Sequence, residues 1–310
     1  MILCVTPNPA IDRTLELPQI VLGAVLRAKH AHIAAGGKGL NVARVARTLG
    51  QPVICAGFLG GDSGRLVARL AEHEQLPGAW TWIDGETRTC TILVDQAGHD
   101  ATVINEVGPH VAPADWLRLT AQVARAASDA AAVCLSGSLP PGSAPGDYGA
   151  LVRTLRAAGR PIWIDTSGAA LAAAIEAGGA SIKVNADEAA ALVGAPLGRP
   201  DTALAAAREL QRRTGAAVVL TLGGAGAVLA NEQGSWHAQP PAIRVVSSVG
   251  SGDAFLAALV VALVRGQAAP AALCQAVAAG AANALSVGGG QIDTAIYQQL
   301  LAGSVCEQLD

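Results

Sequence analysis

Short apolar runs alternate with longer stretches of helical period over the first two thirds of the chain. Ile2–Thr6, Val53–Phe58, Ala131–Ser136, Ile162–Asp165, Ser181–Val184 and Ala217–Thr221 are each four to six residues long and bounded by small or polar residues. Without polar alternation, such runs are predicted to be strands covered on both faces, as in a parallel sheet. Between them lie Leu40–Leu49, Pro113–Ala127, Ala144–Ala158 and Ala203–Thr214, three of which are followed by a glycine (Gly50, Gly159, Gly215). Glycine just past a last turn is a helix stop. This rhythm predicts an α/β fold: a doubly wound, mostly parallel central sheet flanked by helices. Asp253–Arg265, Pro270–Ser286 and Thr294–Leu301 make the last third helical.

Two segments break the rhythm. Residues 13–34 alternate at Leu15, Leu17, Val25 and Arg27, and residues 88–106 do so around a Gln96-Ala97-Gly98 turn. They predict two hairpin-like pieces forming a small β-sheet lid over one edge of the sheet. With no internal repeat, residues 1–310 are expected to be a single domain carrying that lid.

Composition narrows the function. There are 21 basic and 24 acidic residues, a net charge of −3, so no basic field is available for nucleic acid. Hydrophobic residues make up 51 % but aromatics only 3 %, which predicts an Ala/Val/Leu core with close helix–sheet contacts. The longest apolar run, Ala254–Val264, is well short of the roughly 20 residues of a membrane span, so no membrane association is expected. The start, MILCVTPNP, has no basic n-region or cleavage site. Cys4, Cys55, Cys90, Cys134, Cys274 and Cys306 show no CxxC pair or zinc spacing, as for reduced thiols in a cytoplasmic protein.

There is no Walker A sequence, no GxGxxG after a strand, no GxSxG and no HExxH. The chemistry lies instead in glycine-framed segments. Val249-Gly250-Ser251-Gly252-Asp253 opens an apolar helix. Two glycines there let backbone N–H groups converge, and the helix dipole adds to them, so the spot suits an anion such as a phosphoryl group in transit. Asp253 has two readings. It is either a helix cap or a general base, because a carboxylate beside an anion site calls for a substrate hydroxyl or a metal between them. Gly36, Gly37 and Gly39 frame Lys38, a point charge for a phosphate, with Asn41 one turn on as donor and acceptor for sugar hydroxyls. The plainer reading is a turn with a solvated lysine. Asp12 and Ser136 follow predicted strands, where open α/β sheets bind ligands. Lys183 lies at the end of another strand, and Asn185 and Glu188 open the helix after it. The Asn185–Glu188 spacing fits a capping box and leaves Glu188 open to help hold hydrated Mg²⁺. Thr221, Gly223 and Gly226 form a glycine turn after a further strand.

Taken in order, these elements resemble the PfkB/ribokinase carbohydrate-kinase family over nearly the whole chain, from Asp12 to Ile292. GGKGLNVA at 36–43 is similar to the family's first signature and VGSGDAF at 249–255 to its second. The resemblance implies a ribokinase-like fold with a small β lid, ATP as donor and Mg²⁺ as its companion. It implies Asp253 as catalytic base, with Gly250, Ser251 and Gly252 as the anion hole. It puts Lys183, Asn185, Thr221, Gly223 and Gly226 along the ATP, Asn283 near the adenine and Glu188 near Mg²⁺. It puts Asp12, Gly37, Lys38, Asn41 and Ser136 on the sugar, and Arg88, assisted by Arg27, on a substrate phosphate. A K⁺ ion near Ala284–Gly290 and a homodimer through the lid are compatible with it.

Lys38, GETR at 85–88 and SGSLPPG at 136–142 are similar to the family's phosphosugar branch, the 1-phosphofructokinases and tagatose-6-phosphate kinases. The expected reaction is ATP-dependent phosphorylation of a ketohexose phosphate, first of all fructose 1-phosphate to fructose 1,6-bisphosphate. Tagatose 6-phosphate and fructose 6-phosphate are the alternative acceptors. A non-catalytic sugar-phosphate sensor is the alternative of another class, and a sensor has no need of Asp253. A kinase for neutral alcohols has no need of Lys38 and Arg88.

Overall fold

The computed structural model describes residues 1–98 and 100–309. The chain opens with β1 (Ile2–Thr6), leaves to lay down β2 (Ala10–Leu17) and β3 (His30–Gly36), and returns through α1 (Lys38–Thr48), β4 (Val53–Gly60), α2 (Gly61–His73) and β5 (Gly78–Ile83). A second excursion forms β6 (Arg88–Asp95) and β7 (Asp100–Asn105). The βα alternation resumes with α3 (Pro113–Ala127), β8 (Ala132–Ser136), α4 (Pro145–Ala157), β9 (Ile162–Asp165), α5 (Gly168–Ala177), β10 (Ser181–Asn185), α6 (Ala186–Val193), α7 (Pro200–Thr214) and β11 (Val218–Thr221). The hairpin β12 (Ala227–Asn231) and β13 (Gly234–Gln239) precedes α8 (Ser251–Val264), α9 (Ala269–Ala284), α10 (Thr294–Gly303) and β14 (Val305–Leu309).

The large sheet has the order β14-β13-β12-β11-β10-β9-β8-β1-β4-β5. It is parallel from β11 to β5, while β12, β13 and β14 add an antiparallel edge. Side chains alternate across it with period two. Leu3 and Val5 join the core formed with α3, α4, α5 and α7, and Ile2 and Cys4 join the core formed with α1, α2, α8 and α9. Both faces are thus covered, which is why the central strands read as unbroken apolar runs. Alanines such as Ala254, Ala257, Ala276 and Ala279 fill the second layer and its margin, so the helices pack closely with few aromatics. No helix among the described residues is long and apolar enough to cross a membrane.

The two segments with strand-like alternation form the second sheet, order β3-β2-β6-β7. The hairpins β2–β3 and β6–β7 meet along a parallel pairing that sets Ala10 opposite Arg88 and Asp12 opposite Cys90. The apolar pattern foretold six strands of the large sheet. It did not foretell β5, whose Gly78-Ala79-Trp80-Thr81-Trp82-Ile83 mixes small, polar and aromatic residues, nor the antiparallel edge, where polar residues interrupt the runs.

Candidate active site

A cleft of about 750 Å³ lies at the carboxyl edge of the parallel strands, with the small sheet along one side. Its floor comes from residues that follow strands: Asn8 after β1, Gly137 and Ser138 after β8, Thr166 and Ser167 after β9, and Thr221, Leu222 and Gly223 at the end of β11. Each of these loops leaves the carboxyl end of a buried strand, the usual origin of a site in an open α/β sheet. Asp12 on β2, Arg88, Cys90 and Ile92 on β6, and Val103 and Asn105 on β7 supply the small-sheet side. The alternate spacing of the three β6 residues puts them on one face.

At the centre stands Asp253 in the first turn of α8, 6 % exposed. Its Oδ2 accepts a 2.8 Å hydrogen bond from Asn41 Nδ2. Burial, with Asp165 adding to it, pushes the carboxyl up to about 6 against the pull of Lys38, Asn41 and Lys183. Asp253 caps nothing: the N-cap of α8 is Gly250, and no side chain caps that helix. Ser251 N donates to Ser248 O at 3.2 Å, and the N–H groups that follow it in an uncapped first turn lack internal partners, so they and the dipole favour an anion. Space there suits only backbone. Gly250 has φ +79, and a Cβ on it would sit 2.6 Å from the backbone of Gly289 and Gly290. A Cβ on Gly252 would lie 2.6 Å from Lys183 Nζ. Asn8, also in the cleft lining, has its Oδ1 buried without a hydrogen-bond partner.

Asp165 is the feature that motif reading missed. Fully buried at the end of β9, it accepts from Lys38 Nζ at 2.6 Å and from Lys183 Nζ at 2.7 Å. Burial pushes its carboxyl up, but the two ammonium groups outweigh this and hold it below its ordinary value. Burial likewise pulls Lys38 down, and the carboxylates of Asp165 and Asp253 more than restore it. Lys38 is therefore an ion-paired cation on the cleft wall, not a freely solvated one. An aspartate ending an apolar strand was visible in the sequence, but its partners, 127 and 18 residues away, were not.

The remaining candidates divide. Asp12, Gly37, Lys38, Asn41, Arg88, Lys183, Asn185, Thr221, Gly223, Gly250, Gly252 and Asp253 share the cleft lining. Burial pushes the Asp12 carboxyl up to about 6 against the attraction of Arg44 and Arg88. Arg88 donates from Nη2 to Asn8 O at 2.9 Å and from Nη1 to Glu106 O at 3.0 Å, so backbone carbonyls aim its guanidinium. Asn185 and Glu188 form the reciprocal capping box of α6, each accepting the other's backbone N–H at 2.8–2.9 Å, and Glu188 stands outside the lining. Ser251, Ser136, Gly226 and Asn283 also lie behind the lining. Asn283 braces the loop before α8, donating to Val249 O at 2.8 Å and to Ser251 Oγ at 3.3 Å. Ser136 is wholly buried with its hydroxyl unpartnered. Arg27 sits on the exposed stretch between β2 and β3, away from the cleft.

An uncapped glycine-led helix beside a buried carboxylate and two paired lysines is equipment for moving a phosphoryl group. Residues 6–295 match the family model described as pfkB family carbohydrate kinase, and the chain belongs to that family. The 1-phosphofructokinase of Escherichia coli (strain K12) is 34 % identical over 256 residues, 83 % of this chain and 82 % of that protein. The 1-phosphofructokinase of Vibrio cholerae serotype O1 is 34 % identical over 258 residues, 83 % and 81 % of the two chains. The crystal structure of phosphofructokinase-2 from Escherichia coli in complex with potassium superposes with a TM-score of 0.91 at 29 % identity, covering 97 % of this chain and 98 % of that one.

Proposed function

We propose that this kinase transfers the terminal phosphoryl group of Mg-ATP to a hydroxyl of a ketohexose phosphate, with fructose 1-phosphate as the preferred acceptor and fructose 1,6-bisphosphate as product. The observation that carries the reading is Asp253, buried one turn into the uncapped α8 and hydrogen-bonded by Asn41. The acceptor oxygen forms a bond to the γ-phosphorus as the bond from that phosphorus to the β,γ-bridging oxygen breaks. The hydroxyl proton goes to Asp253, and ADP leaves with the bridging oxygen. The N–H groups around Gly250 to Gly252 face the charge that develops on the phosphoryl oxygens, while Lys38 and Lys183 set a positive wall beside it. Arg88 and Asp12 hold the sugar phosphate from the small-sheet side. The two 1-phosphofructokinase relatives support fructose 1-phosphate, and a structure of the Escherichia coli phosphofructokinase-2 with fructose-6-phosphate supports the same class of acceptor.

A magnesium ion arriving with the nucleotide would supply charge neutralisation at its phosphates. Among the described residues no group of three His, Cys, Asp or Glu side chains could hold it. Glu188, whose Oε2 accepts from Asn185 N, is the residue that would help hold the hydrated ion. A potassium ion near residues 284–290 and pairing of two copies through the small sheet are carried over from the family likeness. The exposed Ile33 and Ile104 support the pairing. Rates in potassium against sodium read the first, and light scattering reads the second.

ADP release with Mg-ATP, assayed on fructose 1-phosphate, fructose 6-phosphate, tagatose 6-phosphate, ribose and adenosine, tests the reading. One dominant phosphosugar supports it. Turnover of ribose or adenosine alone overturns the roles of Lys38 and Arg88, and no turnover on any of them returns the chain to a sensor.

A further inference from the structure

Arg44, on α1 one turn past Asn41, lies outside the cleft lining, yet its guanidinium makes four hydrogen bonds. Nε donates to Glu74 Oε2 at 2.5 Å, Nη2 to Ala35 O at 2.6 Å, and Nη1 to both Gly289 O at 3.1 Å and Asn41 Oδ1 at 2.8 Å. Glu74 is fixed in turn, since its Oε1 accepts from Ala35 N at 3.3 Å. One side chain thus joins β3 of the small sheet, α1, the end of α2 and the Gly289 loop that backs Gly250.

The bond to Asn41 has a chemical consequence. A carboxamide has one accepting and one donating end, and arginine only donates. With Oδ1 held by Arg44, Asn41 can present only Nδ2 to Asp253, as the 2.8 Å contact records. Released from Arg44, the amide is free to turn over and set an oxygen against the carboxylate.

Resting on Asp253 as the base, we infer that Arg44 is the positioning residue of this active site: it locks the Asn41 carboxamide with its N–H toward Asp253 and so keeps that carboxylate ionised and ready to accept a proton. Asp253 is faced by Asp165, Lys38 and Lys183 besides Asn41, and Arg44 bonds only the last of these four. Arg44 also acts on Asp12 across space, an effect of charge alone.

The test is the acid limb of kcat at saturating substrates for Arg44→Met, Arg44→Lys and, as a control, Arg47→Met on the exposed side of the same helix. Arg44→Met moves the limb up by about one pH unit, so that kcat at pH 5 falls about tenfold further than its alkaline plateau. Arg44→Lys keeps the charge and one donor and restores part of the shift; Arg47→Met changes nothing. A through-space effect on Asp12 appears in KM and is cancelled by lysine. If both Arg44 variants keep the wild-type limb, the inference is overturned. If Arg44→Met does not fold, an unshifted limb in Arg44→Lys overturns it alone. Asp253→Asn, run alongside, separates the two failures: full turnover there overturns the base itself, whereas an inactive Asp253→Asn with unshifted Arg44 variants overturns only the role of Arg44.

Discussion

Replacing Asp253 by Asn should destroy activity and stabilise the fold. Asparagine keeps the shape and an acceptor for Asn41 Nδ2, so the change removes little but the charge. Burial with Asp165 nearby raises the folded-state pKa from 3.8 to about 6. At 1.36 kcal/mol per unit, the ionised carboxylate costs the folded state about 3 kcal/mol. The sign follows from the direction. A raised carboxyl burdens the fold above its folded pKa, and the burden fades as pH falls from about 6 through 3.8, below which both states are protonated. Asp253→Asn should therefore melt about 5 °C above wild type at pH 8, and the gain should vanish near pH 4. Loss of the general base lowers kcat by about 10²–10⁴-fold, with sugar-phosphate binding retained. Calorimetry at the two pH values and coupled ADP release read both effects. Wild-type turnover would refute the base; a variant less stable at pH 8 would refute the claim that the site holds a strained charge.

The kcat/KM profile should fall on the acid side with an apparent pKa near 6, as Asp253 and, through sugar binding, Asp12 take up protons. Gly250→Ala must force a Cβ at φ +79 against the Gly289–Gly290 backbone, so steady-state kinetics should show kcat reduced about 10²–10³-fold by a displaced anion cradle. Asp165→Ala leaves Lys183, 6 % exposed at its side chain, without its partner, and urea unfolding should show a loss of about 3–5 kcal/mol.

The parallel strands were legible because burial on both faces leaves no polar letters in Ile2–Thr6 or Ile162–Asp165 beyond their ends. The small sheet was legible from alternation, since one face of β2 and β6 turns inward. The antiparallel edge was not, because β13 and β14 mix Ser235, His237, Glu307 and Gln308 into short half-covered strands. In the site, glycine spacing marked the α8 cradle and the Lys38 loop, because backbone approach demands glycine locally. Asp165 and Glu74 act through partners far along the chain, and no spacing announces them, while the i, i+3 spacing of Asn41 and Arg44 does not tell which of the other partners the guanidinium takes. Asn283, which the family likeness puts near the adenine, donates to Val249 O and Ser251 Oγ and so braces the loop before α8.

Phosphorus NMR of Mg-ATP with fructose 1-phosphate tests the central claim most directly. The account predicts that the γ-phosphorus signal of ATP is replaced by a second phosphomonoester on the sugar as ADP appears, and that Asp253→Asn leaves both spectra unchanged on the same time scale. Release of inorganic phosphate without a bisphosphate, or transfer at an undiminished rate by the Asn variant, would contradict it.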